Sequence, residues 1–534
     1  MSNKESAQGK LLLISDLEGC APTSAAKLPQ SQLQCSPEFF ASLAAFLEEP
    51  TNKVAFLGDY FDQGPLVVES INGIIDLYNA YSPRVHIILG NRDLNKLRLI
   101  YEMRELPPAV GEKKWAVWSK FYNELSPPAA PLSLMGRLMH ILNNSMGAPG
   151  PINLCPHDEL TQDEAAYLFL RAFSEPAAAL LPTAAASKAK IEAHAEQKYT
   201  KFITNVRTLF TAGKIMTVDT DFKTLMSHAG GAEPFLLHTA DYYTSIKSQL
   251  LPQEGQALTY YDKIEQVRLL LQEPPTAAQQ APALTVETYN APLLTIPAMF
   301  DDTNPEPPED FFLIQGLGLK PNAGKHYTSF VQSCDIQSCK GPYGPDLPLD
   351  PPLTYDAYLG LLEQTGIDVI AFGHAPHCVP IPVIYKRPES KIMFVGNDTS
   401  NGYRPSAIVA INQIPLSYIS KTKEGATIAG VFSLPGTTKD TYNAGSMFSQ
   451  MINTWRSETC PRFLMDPPRI QYEGVALQFP ARVEKAPPGI FKAAIMAGGT
   501  RVKKNGSKNN KTQKKRHGNK GNKGNKGNKG IIKR

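Results

Sequence analysis

Three short apolar runs open the chain, and each stops abruptly at polar residues. Leu11 to Ile14 gives way to Ser15-Asp16, Val54 to Leu57 to Gly58-Asp59, and Val85 to Leu89 to Gly90-Asn91. Short runs without polar alternation are the mark of strands buried on both faces. Between them the period changes to that of helices. Ser36-Pro37-Glu38 reads as an N-cap followed by proline at the first helical position. Phe39, Leu43, Phe46 and Leu47 then recur on one face, and Val67, Ile71, Ile74, Ile75 and Tyr78 mark a second amphipathic helix. The order β-α-β-α-β makes this the start of an α/β layered domain.

Strand-like runs return only much later, at Thr224 to Ser227, Asp368 to Phe372, Ile392 to Val395 and Ala407 to Ile411. The intervening sequence predicts helices over Leu94 to Met103, Lys114 to Leu125 and Asp163 to Phe173, with an Ala-rich stretch from Ala177 to Ala195. Residues 272–310 are rich in Pro, Ala and Gln, and Pro305-Glu306-Pro307-Pro308 reads as loop. The expected organisation is a flexible N-terminus (1–10), one domain (11–480) carrying insertions at about 104–222 and 232–353, and a linker with a disordered basic tail (481–534).

Composition narrows the class. Of 534 residues, 42% are hydrophobic and 19% charged, which suits a globular protein. No 18 consecutive apolar residues occur, so no membrane-spanning helix and no membrane partner are expected. The polar segment Met1 to Lys10 leaves no room for a secretory signal. Seven scattered cysteines, an odd number, predict reduced thiols and a cytoplasmic or nuclear rather than secreted protein. Cys334 and Cys339 lack a second pair nearby and read as surface thiols rather than half a zinc site.

The net charge of +4 conceals a division. Residues 501–534 hold 14 Lys/Arg and no Asp/Glu, leaving 40 basic against 50 acidic groups in the first 500 residues. The body is acidic, and only the tail, with Gly-Asn-Lys four times over from Gly518 to Lys529, is basic. Such a tail either solubilises the chain or serves as a nucleic-acid-binding or nuclear-import arm. It has no aromatic residue to stack on bases, so contact with nucleic acid would be electrostatic and salt-sensitive.

The chemistry is carried by position. Asp16, Asp59, Asn91, His228 and His374 each follow an apolar run by a residue or two. Ligands bind at the carboxyl ends of strands in open α/β sheets, so these five are expected along one sheet edge. Two carboxylates, an amide and two imidazoles suit Mn, Fe or Zn better than Ca or Mg. Each alone reads equally well as a helix cap or a satisfied core residue; the set in order does not. No Gly-x4-Gly-Lys-Ser/Thr loop and no Gly-x-Ser-x-Gly elbow support an ATPase or a serine hydrolase.

The blocks Asp16-Leu17-Glu18-Gly19, Gly58-Asp59-Tyr60-Phe61-Asp62-Gln63-Gly64-Pro65, Gly90-Asn91-Arg92-Asp93, Ser227-His228-Ala229-Gly230-Gly231 and Gly373-His374-Ala375-Pro376-His377 resemble, in order, the motifs of calcineurin-like metallophosphoesterases. The second block is most similar to the phosphoprotein phosphatase branch, and Asn397-Asp398-Thr399-Ser400 resembles a step of its bacterial relatives. The resemblance covers about residues 9–100, 222–232 and 366–412. It implies a layered β-sandwich flanked by helices (αββα) with large helical and loop insertions, and two divalent ions, Mn, Fe or Zn. Asp59 would bridge both, Asp16 and Glu18 would serve the first, and Asn91, His228 and His374 would complete the second. A hydroxide bridging the ions would attack phosphorus in line. Asp62 would orient a neighbour rather than bind metal.

Four departures stand against the family pattern. Glu18 replaces a His, which hardens the first site toward Mn or Mg. Arg92 replaces the His held to protonate the leaving group, and arginine cannot donate a proton near neutral pH. Gln63 replaces a phosphate-gripping Arg, a role Arg92 could assume as a bidentate clamp. Pro376 stands where many relatives have a second His, and His377, one place on, is a candidate general acid. The resemblance implies hydrolysis of a phosphomonoester, foremost a phosphoprotein. The alternatives are a nucleotide or dinucleoside polyphosphate hydrolase, or a weakly active scaffold binding phosphorylated partners or nucleic acid through residues 501–534.

Overall fold

The first apolar runs become strands because both of their faces are covered. In β1 (Lys10–Ile14) residues Leu11 to Ile14 are buried, as are Val54 to Phe56 in β2 (Lys53–Phe56) and the ends of β3 (Val85–Ile87). The computed structural model describes residues 9–19, 35, 37–61, 64, 66–103, 133–146, 160–193, 197–228, 240–250, 258, 260–270, 286–301, 306–317, 360, 362–374, 383–386, 391–397, 415–422, 425–433, 470–472 and 475–477. The predicted helix Lys114 to Leu125, the run Ala407 to Ile411, Cys334, Cys339 and the tail 481–534 lie outside these residues, as does nearly all of the segment 1–10.

Two mixed sheets organise the described residues. β4 (Met216–Asp219), β5 (Thr224–Ser227), β6 (Val369–Phe372), β7 (Val383–Lys386) and β8 (Met393–Gly396) form one of them, in the order β4-β5-β6-β8-β7. β9 (Pro415–Lys421), β10 (Thr427–Ser433), β11 (Ile470–Tyr472) and β12 (Val475–Leu477) join the first three strands in the other, in the order β12-β11-β10-β9-β1-β2-β3. β1, β2 and β3 run parallel, and so do β5, β6 and β8. Ile88 bridges to Lys214, two residues before β4, which brings the sheets together.

The helices follow the predicted faces. α1 (Pro37–Leu47) buries Phe39, Phe40, Leu43 and Leu47, and α2 (Val67–Tyr81) buries Val67, Ile71, Ile74 and Ile75. The predicted helix Leu94 to Met103 is two short pieces, α3 (Asn91–Lys96) and α4 (Leu99–Glu102), separated by a turn at Leu97-Arg98. The turn buries Arg98 against Glu102, a tertiary demand that helix periodicity does not register. Within the Pro-, Ala- and Gln-rich stretch 272–310, Val286–Asn290, Ala291–Thr295 and Ile296–Met299 are helical. Asn290 holds this piece in place by accepting from the backbone N–H of Ile215 and donating to the carbonyl of Met216.

The helix Gln162–Phe173 buries Ala165 to Leu170, Ala172 and Phe173, and Phe169 and Phe173 pack with Phe210 around Phe61, whose ring stacks on Phe210 at 6.1 Å. Residues from 104–222 are therefore built into the same hydrophobic core as the strands. Cys35 is disulfide-bonded, correcting the expectation of reduced thiols at that position. Among the described residues no helix is long and apolar enough to cross a membrane.

Opposite the ligand-bearing strand ends, Asp219 pins the sheets together. It meets Lys53 at 2.8 Å and His86 at 2.9 Å, and accepts from the N–H of Phe222. Burial raises its pKa, but hydrogen bonds from His86, Lys53 and Phe222 and the Lys53 charge outweigh that and bring it to about 2. A depressed carboxylate stabilises the fold above its unfolded pKa and ceases to do so as pH falls through the folded value. Asp219→Asn is expected to cost about 1–2 kcal/mol at neutral pH after solvent screening. In urea titrations the gap between wild type and variant should narrow below about pH 4.

Candidate metal centre

The polar residues that end the apolar runs do meet, but from two sheets rather than along one edge. β1, β2 and β3 deliver Asp16, Asp59 and Asn91; β5 and β6 of the other sheet deliver His228 and His374. Backbone hydrogen bonds hold the ends together. Asp16 N–H donates to Gly58 O at 3.0 Å, Glu18 N–H to Asp59 O at 2.9 Å, and Gly373 N–H to His228 O at 2.8 Å. A contact between sheets had no signal in the order of the runs, because strand neighbours are chosen in space.

The backbone at these positions is unusual. Asp16, Glu18, Asp59 and His374 adopt φ of 50, 45, 56 and 67°. Among the described residues only Lys223 shares this left-handed conformation without being glycine, so the strain gathers at the candidate ligands. Gly58 is required for a different reason. At φ 96° a Cβ there would lie 2.6 Å from Gly90 N and 2.7 Å from His228 Nδ1.

Two groups of ligand atoms result, with Asp59 in both. One is Asp59, His228 and His374; the other is Asp16, Glu18 and Asp59, with the atoms of each group within 4.8 Å of one another. His228 Nδ1 lies 2.7 Å from the Leu57 carbonyl and donates to it, which turns Nε2 inward. That Nε2 is 3.1 Å from Asn91 Oδ1, 3.2 Å from His374 Nδ1 and 3.3 Å from Asp59 Oδ1. A ring nitrogen, a second ring nitrogen, an amide oxygen and a carboxylate oxygen thus converge in a buried place.

The buried charges of the centre set one another's protonation. Burial raises Asp59, but the charge and hydrogen bond of His228, with Arg92 and His374, hold its carboxyl well below the usual range. Burial lowers His228, yet the charge and hydrogen bond of Asp59, with Asp16 and the Leu57 carbonyl, lift it to about 10. Burial, together with the charges of Asp59 and Glu18, pushes Asp16 up to about 7 despite His228 and the Ser15 hydroxyl. Asp16 Oδ2 accepts from the backbone N–H of His374 at 3.0 Å and from Ser15 Oγ.

Arg92 lies among these groups rather than out in solvent. Its Nη1 is 2.7 Å from Glu18 Oε1, its Nε 3.4 Å from Asp59 Oδ2, and its backbone N–H donates to Asp59 Oδ1 at 3.0 Å. Seven of the nine sequence-derived candidates are therefore brought together; Asp62 and His377 lie outside the described residues.

Sequence reading missed Asp93. This fully buried carboxylate accepts from the backbone N–H of Asp59 (2.8 Å), Tyr60 (2.8 Å) and Gly90 (2.7 Å), tying the second and third blocks together. Burial and then the Asp59 charge raise its pKa to about 7, against the N–H bonds that favour the anion. The available signal was an acid at the third position of a helix opening directly after a strand, where it caps the helix. Asp93→Asn turns an NH2 toward these N–H donors, and metal affinity measured by calorimetry is expected to fall about 10- to 100-fold. An unchanged affinity would deny Asp93 any part in aligning Asp59.

No protein-family model and no curated protein matches the chain. Among solved structures, a point mutant of a cold-active protein tyrosine phosphatase is similar at a TM-score of 0.30 and 11% identity, with 80% of this chain and 85% of that one covered. A likeness that slight assigns neither family nor chemistry.

Proposed function

We propose that this chain is a metal-dependent phosphoesterase of the calcineurin-like kind, with a phosphomonoester as substrate and a phosphoprotein foremost. The observation that carries the proposal is the inward Nε2 of His228, within 3.3 Å of Asp59 Oδ1, Asn91 Oδ1 and His374 Nδ1, while its other nitrogen is committed to Leu57. Once His228 Nε2 gives up the proton that Asp59 favours in the metal-free centre, four side chains offer lone pairs to one point, and the mixed N/O set fits Mn, Fe or Zn. Asp59, Asn91, His228 and His374 would hold such an ion, which would supply Lewis-acid chemistry toward a phosphoryl oxygen and a water.

The remaining work belongs to the chain. Leu57 O fixes the His228 tautomer and ring plane. Asp93 holds the Asp59 backbone, and the Arg92 N–H steadies Oδ1. Asp59 and His228 are almost fully buried, whereas the Arg92 side chain retains 31% exposure, so substrate approaches over Arg92 and His374. There the guanidinium can offset charge gathering on the phosphoryl oxygens.

The test is hydrolysis of p-nitrophenyl phosphate by protein stripped with a chelator and then given Mn or Zn. Turnover restored by metal is the expected result. No turnover with metal demonstrably bound would favour a phosphate-binding scaffold instead.

A further inference from the structure

We infer that the chain binds one divalent ion, not two, and that the Arg92 guanidinium replaces the other. The inference rests on the phosphoesterase reading and concerns how the same centre is charged.

The two ligand groups differ in what already occupies them. Around His228 Nε2, the facing atoms Asp59 Oδ1, Asn91 Oδ1 and His374 Nδ1 present lone pairs. In the group Asp16, Glu18 and Asp59, two of the three carboxylates already face one fixed cation: Arg92 Nη1 is 2.7 Å from Glu18 Oε1, and Nε is 3.4 Å from Asp59 Oδ2. Asp59 therefore divides its two oxygens, Oδ1 toward the imidazoles and Oδ2 toward the guanidinium. That is the geometry of a carboxylate bridging two positive charges, one of which is covalently part of the chain.

The sequence departures agree with this. Glu18 and Arg92 both stand where the resembled family has histidine, and the structure pairs them with each other. One change adds a negative charge and the other a positive one, so together they leave the charge of the centre unaltered. An arginine stays charged at any physiological pH and, unlike histidine, offers no lone pair to a metal. A divalent ion entering the Asp16–Glu18 side would meet that charge at close range in a largely buried place.

The experiment counts metal per chain. Stripped protein is reloaded with Mn(II), desalted and examined by native mass spectrometry and by electron paramagnetic resonance. Wild type is expected to retain one ion and to show no exchange-coupled Mn pair. The double variant Glu18→His/Arg92→His, which removes the built-in cation and adds imidazoles, should retain two ions with a coupled signal. Arg92→Ala, checked for folding by circular dichroism, provides the second route to the same gain. Two ions in wild type, or one in both variants, would overturn the inference while leaving the phosphoesterase reading intact. No ion in wild type would overturn both.

Discussion

Asp59→Asn should abolish metal-dependent phosphoester hydrolysis, lowering kcat/KM on the order of 10³-fold or more while the fold survives. Asp59 is the one residue common to both ligand groups, and its two oxygens face opposite sides of the centre. An amide of the same shape retains one acceptor but loses the negative charge that opposes His228 and Arg92. The backbone is unaffected, because Asp59 N–H still donates to Asp93 and its carbonyl still accepts from Glu18. Steady-state kinetics with added Mn, together with circular dichroism, check both halves. Residual activity within tenfold of wild type would remove Asp59 from the chemistry.

The largest stability effect is expected away from the centre, at Glu102→Ala. Arg98 and Glu102 are both fully buried, paired through Nε–Oε1 at 2.8 Å and Nη2–Oε2 at 3.1 Å, while Arg98 Nη1 donates to Asn95 at 2.8 Å. Truncating the glutamate leaves a guanidinium in the core without its bidentate partner, at a cost of about 3–5 kcal/mol. In a domain of this size that lowers Tm by roughly 3–5 °C. The pair itself need not favour folding, since both charges are desolvated. Arg98→Met/Glu102→Leu should therefore recover most of the loss in the same thermal melts. A Tm change under about 2 °C for Glu102→Ala would mean that the pair is hydrated in solution.

The pair also shows where sequence reading stopped. Leu94 to Met103 reads as one helix because apolar spacing reports only which face is covered. The break at Leu97-Arg98 depends on Asn95, Glu102 and Tyr260, the last from another part of the chain. Asp93 is a similar case. Its role depends on the N–H groups of Asp59 and Tyr60, more than thirty residues earlier. Residues 162–212 had no visible reason to accompany the strands until Phe61, inside the second block, proved to be packed among Phe169, Phe173 and Phe210.

The parts legible in advance were those written locally. A buried parallel strand must be an unbroken apolar run, and its carboxyl end must be polar if it is to hold a ligand. The α/β beginning, the helices at Pro37–Leu47 and Val67–Tyr81, and the placing of Asp16, Asp59, Asn91, His228 and His374 just past strand ends could therefore be read from residue order alone. Pairing is a different kind of fact. That these residues come from two sheets, that Leu57 aims His228, and that Glu18 faces Arg92 across the centre are contacts between segments up to 358 residues apart. No local pattern encodes them, because the free energy that selects them arises only when buried charges and unsatisfied backbone groups must find partners in one packed interior.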